Sequence, residues 1–149
     1  MNNSDPLKLE NQLCFPLYAC AKEVVRKYKP FLDKNDLTYT QYITMMVMWE
    51  HGTINVKELG KYLYLDSGTL TPLLKKLEQK GYIKRSRDTK DERVVNVTIT
   101  QQGKELKSKL VSVPGDMSRC ISLTKDEAIT LYRLLYKILA QVDEKNKDE

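Results

Sequence analysis

The chain has 149 residues, 41% hydrophobic and 30% charged, with six Gly and five Pro, a composition that folds around one core and excludes a disordered or collagen-like chain. The net charge is +5, and the longest strongly apolar run, Ile43 to Trp49, falls far short of the ~20 residues a membrane span needs. One histidine, three widely spaced cysteines, no phosphate loop and no nucleophile elbow leave metal, cofactor and enzyme chemistry unsupported; MNNSDPLKLENQ has no apolar signal core, and the expectation is a cytoplasmic protein with reduced thiols.

In chain order, Asp5-Pro6 reads as a cap and first-turn proline, and Leu13, Cys14, Leu17, Tyr18, Val24, Val25 and Tyr28 continue a helical stripe. Pro16 lacks an N–H and crowds the carbonyl four residues back, so a kink or a helix restart is expected there. A second helix opens at Thr38, with Gln41 completing a capping box and Leu37 and Tyr42 a hydrophobic staple. Its body is apolar on nearly all sides and belongs at the centre of the fold. His51, beside Gly52, reads as an exposed residue at that helix's end.

A third helix begins at Asn55, with Glu58 reaching back and Ile54 and Leu59 as staple residues; Leu59 and Leu63 are its buried stripe. After the short turn Asp66-Ser67-Gly68, Leu70, Leu73, Leu74 and Leu77 define an amphipathic helix ending near Gly81. Two short helices with so brief a turn are a helix-turn-helix, and the second presents Ser67, Thr69, Thr71, Lys75 and Lys76 away from its leucines, donors suited to phosphates and base edges. Pro72 fits this helix without cost only in its first turn.

The period then changes from 3.6 to 2. Residues 83–87 and 95–99 alternate across a polar loop, an antiparallel hairpin, and helix, turn, helix, hairpin is a winged helix-turn-helix. Between Asp66 and Arg93, eight basic residues stand against five acidic ones, so this stretch carries +3 of the +5. Arg85, Arg87, Lys90 and Arg93 lie on or near the hairpin, a basic wing of the kind that touches DNA backbone or minor groove.

Two more helices are expected. Thr100 caps one that carries Leu106, Leu110 and Val111 and stops before Pro114-Gly115, leaving residues 114–120 as a loop or irregular helix start. Thr124 and Glu127 form a capping box for the last, whose Ala128, Leu131, Leu135, Ile138 and Val142 make an apolar stripe that buries itself most simply against the first helix and a second copy of the chain. The expected organisation is a mainly α single domain over 1–149 with a small β-hairpin wing. Its winged helix-turn-helix covers about 38–100, its dimerisation helices about 5–32 and 101–145, and its DEKNKDE tail frays.

The blocks LENQLCFPLY at 9–18, LTYTQY at 37–42, LYLDSGTLTPLLKKLEQKGYIKR at 63–85 and DERVVNVTIT at 91–100 carry a resemblance over nearly the whole chain. They resemble the MarR-type winged-helix repressors and, through the Cys14 block, the OhrR-like branch that senses organic hydroperoxides. The resemblance implies a homodimeric repressor on operator DNA, released when peroxide oxidises Cys14. It also implies that residues matching Tyr18 and Tyr28 donate to the reactive sulfur at the subunit interface. Arg93 matches the wing arginine placed at the minor groove, with Asp91 positioning it. Cys120 stands where some members carry a second, resolving cysteine on the partner chain; others use a small thiol. Pro16 departs from the branch, which commonly has a small or aliphatic residue there.

The residues alone say less about Cys14. A lone cysteine is usually a small hydrophobe, and reactivity needs donors that favour the thiolate. Tyr18 is one turn along and leans back over Cys14, whereas Tyr28 lies ~21 Å away in a straight helix and reaches a Cys14 only across a dimer. Cys20, a rise of ~9 Å away on another face, cannot pair with Cys14 in a straight helix and is expected to pack. Two alternatives stay open: a MarR-type regulator released by a non-covalent phenolic or lipophilic ligand, with Cys14 merely lining its pocket, and a thiol peroxidase with incidental basic charge.

Overall fold

The computed structural model describes residues 5–145, with side chains as far as residue 142. The chain forms two compact units, Met1–Pro114 and Gly115–Glu149. Unit one contains a 3-10 turn at Leu9–Asn11, α1 (Cys14–Leu32), a 3-10 turn at Asp33–Asn35, α2 (Tyr39–His51), β1 (Thr53–Asn55), α3 (Val56–Leu63), α4 (Ser67–Gln79), β2 (Ile83–Arg87), β3 (Val95–Ile99) and α5 (Gln101–Leu110). A helix α6 (Val113–Cys120) runs into unit two, which continues with α7 (Lys125–Lys145).

The element starts follow from their caps. Thr38 Oγ1 accepts from the Gln41 N–H while Gln41 Oε1 accepts from the Thr38 N–H, the reciprocal box read from the sequence. Asn55 Oδ1 accepts from the Glu58 N–H at 2.8 Å; the expected return bond from Glu58 is not made. Asp66 caps α4 through Thr69, Thr100 caps α5 through Gly103, and Thr124 and Glu127 cap α7 with both halves present. At the end of α4, Gly81 has φ +80°, and the Tyr82 and Gly81 N–H groups bond the Leu77 and Glu78 carbonyls, a left-handed termination that glycine accepts without strain.

The core of unit one is where α2 sits, with Met45 and Met48 fully buried beside Leu59, Leu70, Leu74, Leu77, Ile83, Val97, Leu106 and Leu110. Packing between α3 and α4 is close enough that a Cβ on Gly60 would stand 2.7 Å from the Leu65 carbonyl oxygen, so the tight turn of the helix-turn-helix needs a glycine there. The Trp49 indole N–H donates to the Gly103 carbonyl at 2.8 Å and ties α2 to α5.

Several expectations change. The break expected at Pro16 is a helix restart two residues earlier: the chain makes a 3-10 turn and α1 begins at Cys14, which puts Pro16 third in the helix, where its missing N–H has no intrahelical partner to lose. Pro72 is the sixth residue of α4 and not in its first turn; the bond it forfeits is to the carbonyl of exposed Gly68, which water can satisfy. The hairpin has a third strand. In the antiparallel order β1-β3-β2, Ile54 pairs with Val97 and Ile83 with Ile99, so three residues after α2 anchor the base of the wing. Leu63 is only half-buried, and Val111 is 77% exposed instead of lying on the α5 stripe. Residues 113–120 form a helix, with Pro114 in its first turn, so three helices follow the wing where two were expected. Of the tail expected to fray, residues 143–145 complete α7, and the remaining four lie outside the described residues.

Candidate nucleic-acid interface and thiol site

Every residue singled out on α4 lies on its exposed side, opposite the buried Leu70, Leu73, Leu74 and Leu77. Ser67 is the first residue of the helix, and its carbonyl accepts from the Thr71 hydroxyl at 2.8 Å. Asp66 accepts from the Thr69 N–H and hydroxyl, which hold its carboxyl below the ordinary aspartate range. Thr69 and Thr71 therefore spend their hydroxyl hydrogens within the helix and offer oxygen acceptors outward, while Lys75 and Lys76 are exposed cations one turn further on.

The wing divides its cations between structure and surface. Arg85 turns back to α4: its N–H bonds Glu78 Oε1 at 2.8 Å, and its Nε and Nη2 bond Oε2 at 3.1 and 2.9 Å. The backbone bond above all, with the guanidinium behind it, holds the Glu78 carboxyl below its ordinary range. Arg87 donates to the Glu92 carbonyl at 2.7 Å. Asp88 organises the tip, accepting the N–H groups of Lys90 and Asp91 and the Asn96 amide, and these bonds hold its carboxyl low as well. Asp91 accepts from the Arg93 N–H and Nε at 3.1 and 3.2 Å, and Arg93 is 92% exposed. Lys90 and Arg93 are the outward cations of the tip; Arg85 is not among them.

Cys14 is the first residue of α1 and is exposed. No side chain caps this helix, so its amino-terminal N–H groups face outward at the end where the helix dipole favours an anion. Tyr18, one turn on, is 64% exposed. Tyr28 lies at the far end of α1, its ring centroid 4.8 Å from that of Tyr39 and 5.9 Å from that of Tyr42. Burial pushes all three phenols above their ordinary value, with mutual repulsion adding to it for Tyr28 and Tyr42, so they remain O–H donors at neutral pH. Cys20, expected to pack, is exposed in the single chain. Cys120, the last residue of α6, is exposed too and belongs to unit two.

Sequence reasoning missed Tyr39, Glu78 and Lys80. Tyr39 had a signal in the LTYTQY block, but its partner Tyr28 is eleven residues away and across a helix junction, beyond any periodic pattern. Glu78 stood in plain view as one of five acidic residues in a basic stretch.

With this geometry in place, known proteins are informative. Residues 26–110 match the family described as transcriptional regulator SarA/Rot. The chain is 46% identical over 145 residues to the organic hydroperoxide resistance transcriptional regulator of Bacillus subtilis (strain 168), covering 97% of this chain and 99% of that protein. The chain belongs to the SarA/Rot family of MarR-like winged-helix transcriptional regulators. This family and its relatives are regulators and not enzymes, which sets the thiol peroxidase alternative aside. Among solved structures, the regulator is similar to reduced AbfR bound to DNA, 33% identical with a TM-score of 0.76, over 90% of this chain and 94% of that one. Disulfide-formed AbfR is 31% identical with a TM-score of 0.66, over 90% and 91%. AbfR is a protein of Staphylococcus epidermidis.

Proposed function

We propose that the regulator is a homodimeric repressor that holds operator DNA while Cys14 is reduced and leaves it when an organic hydroperoxide oxidises Cys14. The observation that carries this reading is the placement of Cys14, exposed at the uncapped amino end of α1, with exposed Tyr18 one helical turn along the chain. A relative named for organic hydroperoxide resistance aligns over nearly the whole chain, and AbfR, which shares the fold, has been solved bound to DNA when reduced and also in a disulfide form.

On DNA, α4 enters the major groove with Ser67, Thr69 and Thr71 at its leading end and Lys75 and Lys76 toward the phosphates, while Arg93, held by Asp91, extends from the wing with Lys90 beside it. Arg85 and Arg87 serve the wing's own structure. At the sensor, the Cys14 thiolate attacks the peroxide and takes one oxygen as the sulfenic acid, releasing the alcohol once the alkoxide is protonated. The sulfenic acid then condenses with the thiol of Cys120 from the second copy, forming a disulfide and one water. Exposure of both sulfurs in the single chain supports this pairing. The second copy is also what covers Leu13, Leu17 and Tyr18 of α1 and Leu131, Leu134 and Ile138 of α7, all exposed in one chain.

The test is a gel-shift on duplex selected from a random library by the reduced protein. Cumene hydroperoxide is expected to abolish the complex with wild type and leave it intact with Cys14→Ser. Equal release of both proteins would overturn the reading, and release by a phenolic compound with no oxidant present would favour the non-covalent alternative.

A further inference from the structure

We infer that Lys80 is the positioning residue through which the tyrosine corner at the α1–α2 junction sets the recognition helix α4. Lys80 is the residue that follows α4, and its ammonium reaches back across the fold. Nζ donates to the Asp36 carbonyl and to Gln41 Oε1, the latter at 3.2 Å, and stands 3.2 Å from Asp36 Oδ2. Two of the ammonium's three donors are spent on these carbonyl and amide oxygens, and the Asp36 carboxylate stands beside them as an ion pair. All three belong to the bend between α1 and α2 or to the first turn of α2.

The acceptors are not equivalent. The Asp36 side chain is 94% exposed, so its carboxylate adds little in water. The Asp36 backbone is left-handed, φ +51°, which fixes where its carbonyl points. Gln41 is 3% exposed, and its Oε1 also accepts from the Thr38 N–H that caps α2. Lys80 is thus bonded to the atoms that define the start of α2. In that same turn stand Tyr39 and Tyr42, the two rings that hold Tyr28. Beyond Lys80, the Thr100 hydroxyl donates to the Gly81 carbonyl at 2.6 Å, so the same end of α4 is tied to the end of β3. A shift of Tyr28 must displace the first turn of α2, and Lys80 is the bond through which that turn pulls on α4 and the wing base.

The coupling to release rests on the proposed redox function, but the setting of α4 does not. The experiment compares wild type, Lys80→Met and Lys80→Arg on the selected duplex, at a temperature where circular dichroism shows all three folded. Lys80→Met is expected to bind about fivefold more weakly when reduced, with the oxidised-to-reduced Kd ratio shrinking by a similar factor, an unchanged Cys14 alkylation rate, and recovery in Lys80→Arg. Its log–log salt slope should match wild type; a slope lower by about one unit would make Lys80 a phosphate contact and overturn the proposal. A lowered Tm with reduced-state affinity unchanged would also overturn it, leaving Lys80 a simple end-cap. Tyr39→Ala combined with Lys80→Met should weaken binding no more than the worse single change, and strict additivity would deny the coupling. If Lys80→Met does not fold, Lys80→Gln, which keeps an N–H donor, is read by the same criteria. If oxidation fails to release wild type, the redox reading falls while the reduced-state affinities still decide the role of Lys80.

Discussion

Arg93 and Cys14 are single exposed side chains whose proposed roles, one toward DNA phosphates and the other toward an oxidant, can each be tested alone. Loss of a phosphate contact removes about one released counterion, so Arg93→Ala is expected to lower the log–log salt slope of binding by about one unit. Titrations at three salt concentrations check it, and an unchanged slope would make Arg93 only the partner of Asp91. Cys14 is expected to be alkylated by iodoacetamide faster than Cys20 or Cys120, although all three are exposed, because it alone begins a helix and has a phenol one turn away. Tyr18→Phe should slow that reaction. Peptide mapping by mass spectrometry gives the order of labelling, and Cys120 labelled first would remove the basis for naming Cys14 the sensor.

Among the elements, the wing depends on one pair. Glu78 joins α4 to β2 through the backbone and guanidinium of Arg85, and its carboxyl is held below its ordinary 4.5. A depressed folded value means the contribution is full above the ordinary value and is lost as pH falls through the lower one. Glu78→Gln is therefore expected to cost about 1 kcal/mol at neutral pH, the difference from wild type closing in acid, as melting curves at pH 7 and pH 3 would show. This pair also shows what the sequence made legible. Period and capping residues gave α2, α3, α4, β2 and β3, because those signals are local. The strand β1 was missed because three residues carry no period, and its only evidence is the pairing of Ile54 with a strand more than forty residues away. Charge counts could not show that Arg85 is paired with a glutamate across the turn. The helix over 113–120 was obscured by Pro114-Gly115, which read as a stop although a proline is well placed in a first turn.

For the whole molecule, the apolar residues left exposed on α1 and α7 set the expectation of a two-fold dimer, whose paired recognition helices address half-sites about 10 bp apart or a multiple of it. Footprinting measures that spacing, and a single unsplit site would contradict it. After treatment with cumene hydroperoxide, a non-reducing gel is expected to show a covalent dimer that is absent from both Cys14→Ser and Cys120→Ser. A monomer carrying only a sulfenic or small-thiol adduct would reject Cys120 as the resolving residue while leaving Cys14 as the sensor. The bond from Trp49 to Gly103 gives such experiments an internal gauge. This is the chain's one tryptophan, set on the central helix with its indole N–H on a carbonyl of the helix that follows the wing. Its fluorescence therefore reports the integrity of that seam with no added dye, and a ligand or oxidant that releases DNA while leaving the emission unchanged has moved the recognition helices without opening the core beneath them.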